Sequence, residues 1–112
     1  PEIPAVTDAV KVCEAVEEIK GDRSDCFGVL NKWDESSKGV NQSEVEDALE
    51  IPVVSRIPYD RELQDAIFDQ LPVVQHRPYA RSSLEYRKLA AWIADTDYEP
   101  PKLAPMKRII DR

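Results

Sequence analysis

Between Pro4 and Lys20, apolar residues recur at Val6, Ala9 and Val10, Cys13, Val16 and Ile19. That three-to-four spacing gives a helix one buried face. Pro4 suits the first turn and Gly21 the C-terminal stop, so the chain is expected to open with an amphipathic helix. The continuous apolar run from Cys26 to Leu30 predicts a short strand covered on both faces, as in a parallel sheet, ending at Asn31. A polar loop then reaches Ser43, where Ser43-x-x-Glu46 reads as a capping box for a helix carrying Val45, Ala48 and Leu49. Ile51 to Ile57 predicts a second strand, closed by Pro58. Asp60 caps a further helix bearing Leu63, Ala66 and Ile67, and Pro72-Val-Val74 predicts a short extended segment. A second box, Ser82-x-x-Glu85, starts a helix with Leu84, Leu89, Trp92 and Ile93 on its inner face. Past Asp95, Pro100, Pro101 and Pro105 break regularity, so an extended and mobile tail is expected there, with at most a final helical turn.

Strand, crossover helix and strand in that order make a βαβ unit with parallel strands and a right-handed crossover. The fold class is therefore α/β. Two parallel strands leave an apolar strand edge that other strands would normally pair. Residues 1-95 are accordingly expected to be the C-terminal part of a doubly wound, mostly parallel sheet, and residues 96-112 a Pro-rich tail. The chain runs from Pro1 almost directly into a helix, which fits a piece of a longer protein.

The composition, 42% apolar and 33% charged over 112 residues, is that of an ordinary globular domain with one modest core. No run approaches the roughly 20 apolar residues that span a bilayer and nothing at the start resembles a signal peptide, so a cytoplasmic location is expected. The net charge of -7 disfavours non-specific binding to phosphate backbones. Cys13 and Cys26 share neither a C-x-x-C spacing nor companion histidines, and read as small buried hydrophobes rather than a metal or disulfide pair.

Ligands of open α/β sheets bind beyond the carboxyl ends of the strands. Here Asn31 ends one strand, and Pro58, Tyr59 and Asp60 end the next. A carboxamide offers an acceptor and donors in one plane, matching a purine edge, and a proline can pack flat on the base. The plainer alternative is that Asn31 caps a turn and Pro58 merely stops a strand.

The order of phrases along the chain resembles the C-terminal half of the MinD/ParA family of P-loop ATPases. "PEIPAVTDAVKV" is similar to the segment after the family's central strand. "GVLNKWD" resembles its Gly-Val-x-x-Asn-Arg strand, and "EIPVVSRIPYDRELQDAIFDQLPVV" its Pro-Val-x-x-x-Ile-Pro-x-Asp strand, helix and Pro-Val-Val sequence. "SSLEYRKLAAWI" fits the final helix. The likeness covers about residues 1 to 94 and is nearest to MinD-like members.

The resemblance implies a Rossmann-like, three-layer P-loop NTPase fold and an ATPase that dimerises on ATP and organises positioning, such as that of the division site. It implies that Asn31 reads adenine, that Pro58, Tyr59 and Asp60 line the base, and that Glu2 and Asp8 face a dimer partner or a regulatory protein. The phosphate loop, the switch regions and the acidic strand that positions Mg belong to the family's N-terminal half, and none of them occurs in these 112 residues. Hydrolysis would then rest on residues outside this chain.

"NKWD" is also a literal N-K-x-D guanine motif. The loop after the next strand, Ser55-Arg-Ile-Pro-Tyr-Asp60, lacks the Ser-Ala pattern that accompanies it, which favours adenine. Cluster-carrying relatives need a C-x-x-C pair, which is absent. Bacterial MinD proteins end in an amphipathic anchor, so Met106, Lys107, Arg108, Ile109 and Ile110 are candidate contacts to the inner face of the cell membrane. Two other expectations remain beside this one. One is a stand-alone half-fold that binds a protein through its exposed strand edge. The other is half of a DNA-segregating ATPase using Arg77, Arg81, Arg87 and Lys88, a less favoured reading for so acidic a chain.

Overall fold

The computed structural model describes residues 1–34, 39–102 and 104–111. Part of the predicted polar loop after Asn31, and Leu103 and Arg112 of the tail, lie outside them. The elements are α1 (Ile3–Lys20), β1 (Gly28–Trp33), α2 (Gln42–Leu49), β2 (Val53–Pro58), α3 (Arg61–Phe68), α4 (Val73–His76), α5 (Arg81–Ile93) and α6 (Ala104–Asp111). β1 and β2 pair in a parallel two-stranded sheet joined through α2, so the chain is α/β. It divides into two units, Pro1–Arg56 and Ile57–Arg112.

In the first unit, α1 starts with a proline in its first turn and stops at Gly21, whose φ of 92° allows its amide to bond the Glu17 carbonyl. Its inner face delivers Cys13 to a core with Leu30, Val45, Leu49 and Ile51, against which Val6, Ala9 and Val10 pack. Ile19, expected on that face, is 85% exposed because it lies in the last turn, past the end of the core.

β1 begins at Gly28 rather than Cys26, where the Gly28 amide bonds the Pro52 carbonyl at 2.8 Å. A Cβ at Gly28 would come within 3.2 Å of the Val53 side chain, so the close approach of the two strands favours glycine there. The strand is not covered on both faces: Leu30 is buried and Val29 exposed. Beyond Asn31 the alternation breaks at Lys32, whose φ is 51°. Leu30 and Trp33, three positions apart, consequently both pack into the core.

α2 is capped two residues earlier than predicted, at Asn41 rather than Ser43. The box is Asn41 with Glu44: the Asn41 side chain accepts from the Glu44 amide at 2.9 Å and Glu44 accepts from the Asn41 amide at 3.0 Å. Ser43 instead donates its hydroxyl to Asn41. Glu46 reaches across to accept from the Val53 amide. Arg23 closes the far end, its Nη1 donating to the Leu49 carbonyl at 2.6 Å and its Nε to Glu17 at 2.8 Å.

The second unit is built on Ala66, Val73 and Ala80, with Leu63, Val74 and Tyr86 around them. Pro72-Val-Val74 does not extend: Pro72 precedes a single helical turn, α4, because the Pro72 carbonyl accepts from the Gln75 and His76 amides. The second predicted box also fails. α5 starts at Arg81 after Ala80, and Ser82 and Ser83 are fully buried in its first turn. Ser83 Oγ donates to the Val73 and Arg77 carbonyls, and Ser82 Oγ to Asp60. Trp92 and Ile93, expected inside, are 48% and 71% exposed, since the unit's core lies at the other end of α5. In place of an extended tail, Ala104–Asp111 winds into α6, with Pro105 tolerated in its first turn.

Candidate functional site

Each unit carries its share of the predicted residues. In the first, Asn31 and Lys32 are exposed at the carboxyl end of β1. The Lys32 amide, just ahead of the left-handed turn that Lys32 makes, donates to the Asn31 carboxamide oxygen at 3.0 Å. Among the described residues the Asn31 Nδ2 makes no hydrogen bond, and its oxygen keeps a second lone pair. An exposed carboxamide held by its own backbone can therefore still donate and accept in one plane.

Trp33 is not a free aromatic platform. Its ring packs against the core, the Arg56 guanidinium lies 5.5 Å from the ring centre, and its buried Nε1 has no partner among the described residues. The cation over the ring face is attractive on its own account and screens the indole from water. Ser55 Oγ is likewise buried and has no partner among the described residues. Asp34 is exposed.

In the second unit, Pro58 ends β2 and Tyr59 follows, 63% exposed. Asp60 is the N-cap of α3. Its Oδ1 accepts from the Glu62 amide at 3.0 Å, and its Oδ2 from the Ser82 amide and hydroxyl at 3.0 and 2.8 Å. That carboxylate is committed to joining two helices, so any contact with a ligand in this turn falls to backbone groups and to Tyr59.

Glu2 and Asp8 are exposed in and just before the first turns of α1. The basic residues near α5 are dispersed into local contacts: Arg77 donates to the His76 carbonyl, Arg87 to the Val74 carbonyl, and Lys88 pairs with Glu85 at 3.1 Å. His76 Nε2 lies 3.1 Å from Asp69 Oδ2 but off the hydrogen-bonding direction. In the tail, Met106, Ile109 and Ile110 are exposed while Arg108 and Lys107 turn to Tyr79.

Two features had no motif to announce them. One is the Trp33 and Arg56 pair, set by the register of two neighbouring strands. The other is an open apolar cavity of about 490 Å³ in the first unit, walled by α1 and β1 through Val6, Val12, Cys13, Cys26, Phe27 and Val29. Among the described residues no cluster of three or more His, Cys, Asp or Glu could hold a metal ion, and no helix is long and apolar enough to cross a membrane.

No protein-family model and no curated protein sequence matches the chain. Among solved structures it is similar to the septum site-determining protein MinD complexed with Mg-ADP from Pyrococcus horikoshii OT3, with a TM-score of 0.70 and 24% identity. The match covers 96% of this chain and 40% of that one. At that identity the likeness establishes the fold alone: the chain has the architecture of a partial MinD-like segment.

Proposed function

We propose that the chain is the C-terminal segment of a MinD/ParA-type P-loop ATPase, contributing adenine contacts and dimer surface to ATP-dependent spatial positioning. What supports the reading is the agreement of fold, over 96% of the chain, with part of a protein complexed with Mg-ADP. The order of sequence phrases points the same way. Asn31 reads the adenine edge with its Nδ2, unbonded among the described residues, and its oxygen, while the turn at Pro58, Tyr59 and Asp60 supplies backbone groups and an aromatic to the base.

The residues present fit the base of ATP but not its metal. Among the described residues no group of three or more His, Cys, Asp or Glu could hold a metal ion; in the proposed ATPase the phosphates and Mg are held by the phosphate loop and acidic strand of the family's N-terminal half. In the assembled ATPase the nucleotide supplies the phosphoryl group for transfer. Glu2 and Asp8 face a second protomer or a regulatory protein, and α6 makes a peripheral contact with the inner face of the cell membrane.

The test is titration of the isotope-labelled chain with ADP and, separately, GDP, followed by amide NMR shifts. Millimolar ADP should move Asn31, Tyr59 and Asp60, and GDP should move them less. Equal response to both nucleotides, or shifts confined to other residues, would discard the adenine reading. Sub-micromolar affinity would contradict the placement of the phosphate-binding residues outside the chain.

A second reading is a free-standing interaction half-fold. It is favoured by the apolar wall of Val12, Phe27 and Val29, which stays exposed on the first unit. A tight homodimer formed without nucleotide would support it.

A further inference from the structure

Two thiols that no sequence motif links are neighbours in the first unit. Cys13 lies mid-way along α1 and is 6% exposed, whereas Cys26, just ahead of β1, is half-buried. Both are free cysteines, and Cys26 packs against the buried cluster that contains Cys13. Both also form part of the wall of the open cavity of about 490 Å³, beside Val6, Val29 and Leu30. Among the described residues no further ligand joins them as a metal set. What the site offers is two thiols of one core that line the same open hollow, which a small oxidant can enter.

We propose that Cys13 and Cys26 form a reversible intrachain disulfide, a redox modification site that ties the middle of α1 to the start of β1. The inference stands apart from the nucleotide reading and does not depend on it.

The co-reactant is a low-molecular-weight disulfide, RSSR. Cys26, the more exposed thiol, loses its proton, and its thiolate attacks one sulfur of RSSR. A Cys26–S–S–R bond forms, the R–S–S–R bond breaks, and RS⁻ leaves with the electron pair. The Cys13 thiolate then attacks the Cys26 sulfur, forming the Cys13–Cys26 bond and releasing a second RS⁻. The two protons lost by the cysteines end on the two RS⁻ groups. The protein is oxidised by two electrons and RSSR is reduced to two RSH. Burial first, and then the neighbouring Cys26, hold the Cys13 thiol above the ordinary cysteine range, while Arg23 opposes them. That order suits Cys26 as the attacking thiol and Cys13 as the resolving one.

Oxidised glutathione supplies the test. The chain is incubated with it at mildly alkaline pH, remaining thiols are blocked with iodoacetamide, and intact mass and peptide maps are recorded. The expected product is a chain lighter by two hydrogen atoms, with the Cys13 and Cys26 peptides linked and the link reversed by dithiothreitol. Cys13→Ala should halt at a glutathione adduct on Cys26, and Cys26→Ala should take up glutathione at least tenfold more slowly than Cys13→Ala. The wild-type mass decides even if a variant misfolds. A wild-type chain that stops at the Cys26 adduct, stays fully reduced or links only between chains overturns the proposal.

Discussion

The Asp60 carboxylate binds Ser82 twice, through the amide at 3.0 Å and the hydroxyl at 2.8 Å, while its other oxygen caps α3. One side chain thus satisfies amides at the starts of both α3 and α5, which no local motif would do. Removing it takes away a helix cap and leaves the fully buried Ser82 hydroxyl without its acceptor. A cap contributes about 1 kcal/mol and a hydrogen bond to an ionised acceptor about 1.5–3 kcal/mol. Asp60→Ala is therefore expected to lower unfolding free energy by about 2–4 kcal/mol in urea titrations. Combined with Ser82→Ala it should cost clearly less than the sum of the two single changes. Additive losses would mean the two residues act separately.

Gly21 holds a conformation that side chains resist, with φ at 92° and open space around the missing Cβ. Any loss on substitution is then a backbone effect rather than a clash. Gly21→Ala should destabilise the first unit by about 1–2 kcal/mol. Asn41→Ala, which removes the capping oxygen of α2, should cost about 1 kcal/mol. Urea midpoints check both. A neutral Gly21→Ala would show that the C-terminus of α1 frays without consequence.

Cys13 gives the first unit an alkaline limit. Its folded-state pKa is raised above the ordinary 9.0, chiefly by burial and secondarily by Cys26. Above the unfolded pKa the unfolded chain has released a proton that the native chain still holds, so stability falls with rising pH. The contribution is fully present below pH 9.0 and is lost as pH rises through the raised value. In dithiothreitol, thermal midpoints should decline over that window, and Cys13→Ala should flatten the decline. An unchanged slope in the variant would assign the limit to another group.

The helix periods, the βαβ order and the turn chemistry of Gly21, Pro58 and Asp60 were legible because each is a local signal. What misled was also local. Ser43-x-x-Glu46 and Ser82-x-x-Glu85 satisfy the capping pattern, yet Asn41 wins the first helix by the better-placed box, and Ser82 is drawn inside by Asp60, 22 positions away. Trp92 and Ile93 have helical spacing, but periodicity tells which face is apolar and not whether anything covers it. Asn31 could be placed at a strand end from sequence. Its carboxamide geometry could not, because the bond its oxygen accepts from the Lys32 amide depends on the Asn31 side-chain torsions, which no sequence pattern states.

The tail can be judged by which of its sides is held. α6 is fastened by its basic side: Arg108 Nε donates to the Tyr79 carbonyl at 2.8 Å, and Lys107 Nζ sits 5.1 Å from the Tyr79 ring centre. The opposite side carries Met106, Ile109 and Ile110, all largely exposed. A helix docked this way needs no release before its apolar side meets a lipid surface. Removing the tether should therefore loosen α6 without creating the binding face. Arg108→Ala is expected to speed amide exchange across residues 106–111 more than Tyr79→Ala does, since the latter removes only the ring contact of Lys107 and leaves the backbone carbonyl acceptor in place. On vesicles containing anionic lipid, Ile110→Glu should lower co-sedimentation about tenfold by burying a charge where an aliphatic group would go. Arg108→Ala should lower it by less than about fivefold, the worth of one cation at such a surface, because Arg108 is turned to Tyr79 on the other side of the helix. If Ile110→Glu leaves vesicle binding unchanged, the apolar side of α6 does not face lipid, and the membrane part of the proposed function falls with it.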